Sequence, residues 1–190
     1  MFGWLRKTKT KKKKRDILDA PFHWVGEVVE QSLYVSPPLD APHGRAASRL
    51  GMLLGSAFDL GAGGPGGWVI LFEPELHLGK NDVLVPDLAG WRRERMPELP
   101  NGAAFTLVPD WVCEVTSSAT AVLDRDKAKA YARHGVNHLW WVDPFKRLME
   151  TYHRPEREHW NRLGHWSGDA LAQTAPFEAL PLKLATLWER

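Results

Sequence analysis

Two acidic side chains stand in apolar surroundings along the chain. Asp87 follows the apolar run Val83–Val85 through Pro86, and Glu114 lies inside the run Trp111–Val115. Both runs are short, rich in β-branched or aromatic residues and bounded by turn-forming residues, which predicts two buried strands. An ionised carboxylate away from water is costly unless it is paired or binds a metal. Asp87 and Glu114 therefore require a compensating cation.

Lys127 is the first candidate for that cation, because helix periodicity directs it inward. Residues 118–134 are typical of a helix, with Ser117 or Ser118 as the N-cap and Gly135 as the stop. Steps of three and four residues from Lys127 reach one inward-facing stripe, which comprises Leu123, Ala130, Tyr131 and His134. The same steps from Lys129 reach a predicted solvated face, which comprises Arg125, Asp126, Ala132 and Arg133.

The remaining elements would support this arrangement. The alternation between Phe22 and Pro38 predicts a β-hairpin. A helix is predicted from about His43 to Leu60, with a buried stripe of Leu50, Leu53, Leu54 and Phe58. The glycine-rich segment 61–67 indicates a turn, Arg147–His153 indicates a strand, and residues 181–188 indicate an amphipathic closing segment.

Several further side chains are alternatives for the same site. Glu27 is either an additional metal ligand or, as we favour, a solvated strand glutamate. Glu73, Glu75 and His77 share one face of an extended strand, but the strand register decides whether that face is turned toward Asp87. His43 is either a contact to a substrate phosphate or, as we favour, a residue at a helix start with a local hydrogen bond.

Other patterns carry weaker signals. The segment 91–97 is basic and aromatic, and it would form either a nucleic-acid-binding loop beside Asp87 or a solvated turn with salt bridges. Asp110 lies four residues before Glu114 in the same predicted strand, so about 13 Å separates them. His153, His159 and His165 lack ligands at metal-binding spacing and are interpreted as surface and packing residues.

Length and charge describe one folded body with a basic arm. The chain has 190 residues, and residues 16–190 suffice for a single domain. Residues 1–15 contain eight lysines and arginines and no acid, so we expect a disordered arm, which is either a phosphate-binding segment or a solubilising tail. The remaining residues hold 17 basic and 23 acidic side chains, giving about −6. Nucleic-acid-binding proteins usually present a basic face instead.

The location expected from the sequence is cytoplasmic. No apolar run approaches the roughly 20 residues that cross a bilayer, and no signal-peptide core follows the positive start. We therefore expect no membrane partner. The single cysteine, Cys113, is predicted to be a small buried residue in a reducing compartment.

Several motifs along the chain form one pattern: Pro86-Asp87, Glu114-Val115-Thr116-Ser117, Asp124-Arg125, Lys127, Tyr131, Gly135-Val136 and Trp140-Trp141-Val142-Asp143-Pro144. Together they resemble the Uma2 (DUF820) family of the PD-(D/E)XK superfamily of restriction-endonuclease-like proteins. The resemblance implies an α/β (α+β) fold, with a restriction-endonuclease-like mixed central sheet flanked by helices and an N-terminal β-hairpin. In that superfamily a lysine stands two residues after the second acid, where this chain has Thr116. Lys127 would then supply the charge from the following helix.

The resemblance also implies an activity. Asp87 and Glu114 would hold a divalent metal, Mg²⁺ or Mn²⁺, because carboxylate oxygens are hard ligands. Lys127 would help to activate water and offset charge in the transition state. The expected function is a metal-dependent endonuclease acting on DNA in preference to RNA, and the superfamily is compatible with a homodimer. The alternative is a nuclease-fold nucleic-acid-binding or scaffold protein without catalysis, which Thr116 and the acidic body favour.

Overall fold

The architecture of the protein comes from a computed structural model that describes residues 24–36, 38, 40–116, 120–156 and 159–189. The predicted basic arm, 1–15, and the predicted N-cap residues Ser117 and Ser118 lie outside these residues. The described chain forms two mixed β-sheets, a two-stranded ribbon and three α-helices. The mixed α/β class expected from the sequence is therefore confirmed.

The first sheet contains five strands and begins with the predicted hairpin. Its strands are β1 (Val25–Val29), β2 (Ser32–Ser36), β4 (Glu75–Leu78), β5 (Asp82–Leu84) and β7 (Ala104–Phe105), in the spatial order β2-β1-β5-β4-β7. The hairpin turns through Glu30 and Gln31, whose φ angles are 49° and 65°. Two positive φ angles in a two-residue loop give the turn twist that matches paired strands.

The second sheet contains six strands and carries most of the chain. Its strands are β3 (Trp68–Phe72), β6 (Leu88–Arg92), β8 (Trp111–Val115), β9 (His138–Asp143), β10 (Leu148–His153) and β11 (Asn161–Ser167), in the order β11-β10-β9-β8-β6-β3. β8 and β9 are parallel, and the other neighbours are antiparallel. The ribbon consists of β12 (Leu171–Ala172) and β13 (Leu182–Lys183). The predicted strand Trp111–Val115 is confirmed at both ends.

Three helices complete the fold. α1 (Ala41–Leu54) continues as a π-helical turn over Gly55–Asp59, and it begins earlier than predicted because the Asp40 side chain caps it, accepting a hydrogen bond from the His43 N–H at 3.0 Å. α2 (Ala121–His134) ends as predicted at Gly135, which has the left-handed φ of 98° that favours glycine. α3 (Ala185–Trp188) is a single closing turn.

Alternation along β8 divides the interior into two cores. Trp111, Cys113 and Val115 face a core shared with α1, and Val112 faces a core shared with α2. Glu114 alternates with Cys113, so its side chain points toward α2. The first core is centred on Phe177, whose ring lies 4.6 Å from that of Phe58, 4.8 Å from Trp68, 5.0 Å from Trp111 and 5.4 Å from Trp140.

An ion cluster fixes the end of α2 to the first sheet. Asp82 accepts from Arg133 at 2.6 Å, contacts His134 at 2.6 Å and accepts from the Glu30 N–H at 2.8 Å. Burial would raise the pKa of Asp82, but these hydrogen bonds outweigh it and lower that pKa. The orientation of α2 about its own axis is therefore held at its C-terminal turn.

Of the two alternatives predicted for residues 91–97, a nucleic-acid-binding loop beside Asp87 and a solvated turn with salt bridges, the structure agrees with the second over residues 93–95. Trp91 and Arg92 belong to β6, where Trp91 is fully buried and donates to the Leu107 carbonyl. Asp87 precedes the opposite end of this five-residue strand, so the loop after it lies about 16 Å away. There Arg93 pairs with Asp59, and Arg95 pairs with Asp110, which places Asp110 far from Glu114 as expected.

None of the helices in the described ranges is both long and apolar enough to cross a lipid bilayer.

The helix α2 departs from its predicted pattern at Ala132, which is buried and not solvated. Arg125, Lys129 and Arg133 are exposed as predicted, so Lys127 and Lys129 do occupy opposite faces.

Replacing Phe177 with alanine should strongly destabilise the protein, because the ring contacts four other aromatic side chains. We expect Phe177→Ala to lower the free energy of unfolding by about 3–5 kcal/mol in urea titrations. Leu99→Ala, at a side chain 58% exposed, should change it by less than about 0.5 kcal/mol. Equal effects of the two substitutions would contradict this description of the core.

Candidate active site

The chain passes from the first sheet to the second at the point where the predicted acids meet. β5 of the first sheet ends at Leu84, β6 of the second begins at Leu88, and Val85, Pro86 and Asp87 connect them. Asp87 is only 7% exposed. Its Oδ2 accepts a hydrogen bond from the Val115 N–H at 2.7 Å, at the end of β8. The connection thereby places Asp87 beside the strand that carries Glu114.

The other oxygen of Asp87 is occupied by a histidine from α1. His43 Nε2 lies 2.5 Å from Asp87 Oδ1, and both side chains are buried. The capped first turn of α1 presents His43, since the Asp40 cap engages its backbone N–H. The local hydrogen bond expected at this helix start is thus present, but the imidazole itself contacts the candidate catalytic acid.

Lys127 lies between two buried carboxylates, as its periodicity required. Its Nζ is 2.9 Å from Glu114 Oε2, 2.9 Å from Glu27 Oε1 and 2.9 Å from the Val85 carbonyl oxygen. The side chains of Lys127, Glu27 and Glu114 are only 4–5% exposed. An ammonium group has three N–H donors, so these three acceptors satisfy it.

Two further contacts hold the carboxylates in place. Tyr131, one turn along α2 from Lys127, donates its hydroxyl to Glu114 Oε1 at 2.6 Å. Burial raises the pKa of Tyr131, so the phenol keeps its proton and remains a donor. Glu27 Oε1 also accepts from the Val85 N–H at 2.8 Å. Two residues of α2, Lys127 and Tyr131, therefore orient the two oxygens of Glu114.

The charges in this group do not balance. Glu27, Glu114 and Asp87 supply three carboxylates near the single ammonium of Lys127. Burial would lower the pKa of Lys127, but Glu114, Glu27 and Asp87 outweigh it and raise that pKa, so the side chain stays charged. Burial, Asp87 and Glu27 raise the pKa of Glu114 against the opposing effect of Lys127. The group therefore favours an additional positive charge, from a proton or from a metal ion.

A small cavity opens among these groups, with a volume of about 60 Å³. Its lining includes five carboxylates: Glu27, Glu73, Asp87, Glu114 and Asp124. Burial raises the pKa of Asp124 to about 6 even though Thr120 Oγ1 donates to it at 2.8 Å. Burial and the neighbouring Asp87 also raise the pKa of Glu73. Carboxyl groups thus line the cavity beyond the three innermost acids.

The residues around the cavity fit a hard divalent cation by their chemistry. Across the ranges that the structure describes, no three acidic, histidine or cysteine side chains are grouped closely enough to form a ready-made metal cluster. Mg²⁺ does not require one, because it is commonly held by one or two carboxylates together with waters and substrate phosphates. A cavity of about 60 Å³ is large enough to hold water. The metal ligands that the cavity offers are hard carboxylate oxygens, which carry a surplus of negative charge.

The remaining candidate residues differ in whether they line the cavity. Glu73 lines the cavity, whereas Glu75 is exposed and contacts His77 away from it. His153 packs against His138, with ring centroids 4.9 Å apart, and His165 contacts Glu150. The predicted packing and surface roles of His153 and His165 agree with these contacts.

Two residues have a closer connection to the site than the sequence predicted. The prediction that Glu27 is a solvated strand residue is wrong, because it is 4% exposed and pairs with Lys127. β1 is covered on both faces, and the two valines that follow Glu27 were the available signal. The interpretation of His43 as only a helix-start residue is incomplete, since its contact with Asp87 spans 44 positions and leaves no local pattern.

Comparisons with known proteins agree with this architecture. The model of the Uma2 family, described as "Putative restriction endonuclease", matches residues 23–185. A crystal structure of a "putative nuclease belonging to DUF820" from Anabaena variabilis ATCC 29413 superimposes with a TM-score of 0.72 at 21% identity. The match covers 93% of this chain and 97% of the other, and it shows a shared fold. No curated protein matches the sequence.

Asp124 should make the stability of the protein depend on pH. Its pKa rises from 3.8 unfolded to about 6 folded, so its stabilising contribution is complete below pH 4 and is lost as the pH rises through 6. Asp124→Asn removes this dependence. In EDTA, we expect the unfolding free energy of the wild type to fall by about 2 kcal/mol relative to Asp124→Asn between pH 4 and pH 7. Parallel pH profiles in urea titrations would contradict the burial of an uncompensated carboxyl.

Proposed function

The chain belongs to the Uma2 family, and we propose on that basis that it is a metal-dependent endonuclease that hydrolyses phosphodiester bonds in DNA. One observation carries the proposal: Asp87 and Glu114 line one acidic cavity at which Lys127 is bound between buried carboxylates. Structural proteins rarely bury such a charge imbalance without a ligand that compensates it.

Asp87 and Glu114 would hold Mg²⁺ or Mn²⁺ at the cavity. When bound, such an ion polarises a phosphoryl oxygen and lowers the pKa of its water ligand. His43 and the Val115 N–H would orient the Asp87 carboxylate, and Tyr131 would orient that of Glu114. The two acids would then be presented without the entropic cost of ordering them at each turnover.

Lys127 would act by its charge rather than as a base. Its raised pKa keeps the ammonium protonated at neutral pH, so it cannot accept a proton from water. An ammonium at the cavity wall would stabilise the negative charge that develops on the phosphate. This role corresponds to the lysine that PD-(D/E)XK enzymes carry two residues after the second acid, where this chain has Thr116.

A nuclease-fold protein that binds nucleic acid without cleaving it is the second candidate. Its support is the saturation of Lys127, whose three acceptors leave no N–H for a substrate without rearrangement. The two candidates differ in one measurable property, because only the enzyme would convert supercoiled DNA to nicked or linear products.

Asp87→Asn should abolish cleavage while preserving the fold. Purified protein incubated with supercoiled plasmid and Mg²⁺ or Mn²⁺ should nick it, and EDTA should prevent nicking. We expect Asp87→Asn to reduce the rate at least about 100-fold. Asp110→Asn is a matched control, because Asp110 is also 7% exposed and also accepts a backbone N–H, at the opposite end of β6. Cleavage that survives Asp87→Asn, or that is lost equally in Asp110→Asn, would refute this site.

Lys127→Met should remove activity and also destabilise the protein. It leaves Glu27 and Glu114 buried without their cation, which costs about 3–5 kcal/mol. Adding Glu27→Gln should recover part of the stability in thermal melts, and the double variant should remain inactive. Lys129→Met, on the exposed face of α2, should retain both stability and activity. An active double variant would show that Lys127 serves only the fold.

A further inference from the structure

A second and larger cleft opens at the same edge of the six-stranded sheet as the acidic cavity. Its volume is about 590 Å³. It lies beyond the end of β9, which is parallel to β8, so the ends of the two strands face the same way. The first turn of α1 separates the two spaces, since His43 lines the cavity whereas Pro42 and Arg45 line the cleft. That separation is roughly one helix diameter, ~10 Å.

The chemistry of this cleft differs from that of the cavity, because its charged lining consists of two arginines and one glutamate, Glu189. We call it the basic cleft and define it by Arg45, Phe145, Arg147 and Trp188. Phe145 is 58% exposed, although it is a large aromatic side chain. The Arg147 guanidinium lies 5.9 Å from the centre of the Trp188 ring. Two arginines and two aromatic rings therefore line one concave surface beside an acidic site.

Several polar groups at the basic cleft have hydrogen-bonding capacity that the described residues do not use. Arg45 donates through Nε to the Glu189 carbonyl at 2.6 Å, and its two terminal nitrogens bond to no other described residue. Arg147 pairs with Asp169, but both side chains are more than half exposed, so that ion pair is weak. The indole N–H of Trp188 is buried and has no hydrogen-bond partner in the described part of the chain.

We propose that the basic cleft is a nucleotide-binding subsite for a single-stranded segment that flanks the scissile phosphate. A base would stack on the exposed ring of Phe145, beside Trp188, and phosphates would pair with Arg45 and Arg147. Aromatic platforms with cationic side chains are the usual means of holding single strands without sequence preference. The assignment rests on the proposed nuclease function, which places the scissile phosphate at the adjacent cavity.

Size and charge favour this occupant over a protein segment. A cleft of this volume lies within the range of 300–1,000 Å³ that is typical of small-ligand sites. The ~10 Å between the two spaces is short enough for a segment of a few nucleotides to span. A strand could therefore reach from the subsite to the acidic cavity, where a short flank would carry the negative phosphates past Arg45.

The test uses the full chain in EDTA, so that binding is measured without cleavage. The probe is the thymidine dinucleotide pTpT, added to ¹⁵N-labelled protein while the tryptophan indole resonances are recorded. Trp188→Phe identifies the Trp188 signal by its disappearance. We expect pTpT to shift that signal in a saturable manner, with thymidine alone and inorganic phosphate alone giving weaker binding. An unshifted Trp188 signal at millimolar pTpT would overturn the proposal.

Two variants with matched controls locate the contacts. Phe145→Ala should weaken pTpT binding roughly 5- to 150-fold, the loss expected for one stacked base. Leu99→Ala, at a side chain of the same 58% exposure on a distant loop, should leave it unchanged. Arg45→Ala should weaken binding and make it less dependent on salt, whereas Arg162→Ala on β11 should do neither. Equal binding by Phe145→Ala and Leu99→Ala would overturn the subsite.

The failure of this subsite and the failure of the nuclease function give different results. Plasmid cleavage that depends on Asp87, without any effect of pTpT on Trp188, would refute the subsite alone. Saturable pTpT binding that Phe145→Ala weakens, without plasmid cleavage under any metal condition, would refute the nuclease and leave a single-strand-binding cleft.

Discussion

The structure depends on one ammonium group held where its two sheets meet. Lys127 contacts Glu27 from the five-stranded sheet, Glu114 from the six-stranded sheet and the carbonyl of Val85 in the connection between them. Without Lys127, whose Nζ lies 2.9 Å from each of them, the carboxylates of Glu27 and Glu114 would repel each other. Because the side chains are nearly inaccessible to water, the interaction is screened little by salt. The same contact that joins the sheets also places Asp87, two residues beyond Val85, beside the end of β8.

This arrangement explains how one part of the chain can serve both folding and chemistry. A single lysine compensates two carboxylates only in part, and Asp87 adds a third negative group. Burial is the main cause of the raised pKa values of Glu114, Asp124 and Glu73, and the neighbouring carboxylate of Asp87 raises each of them further, which adds to the surplus of negative charge around one cavity. A divalent cation would remove that surplus. In the proposed subsite, Arg45 and Arg147 across the first turn of α1 would attract a polyanion to a site whose centre is acidic.

The sequence predicted those features that follow from local periodicity. The bounds of β8, the inward direction of Lys127 and the stop at Gly135 each depend on a few neighbouring residues, and the structure agrees with them. Features that depend on what covers an element were missed. Glu27 is buried because a second sheet and α2 cover β1, and Trp91 is buried because β6 lies inside a six-stranded sheet. His43 meets Asp87 only through packing of α1, which no spacing in the chain reveals.

Direct measurement of metal binding tests the central claim, that the charge imbalance around Lys127 is compensated by a divalent cation. Mn²⁺ can be titrated into metal-free protein while the unbound ion is followed by electron paramagnetic resonance. The account predicts one saturable site per chain that is lost in Glu114→Gln and kept in Glu75→Gln, whose carboxylate is exposed and outside the cavity. Absence of saturable binding, or binding that survives Glu114→Gln unchanged, would contradict it.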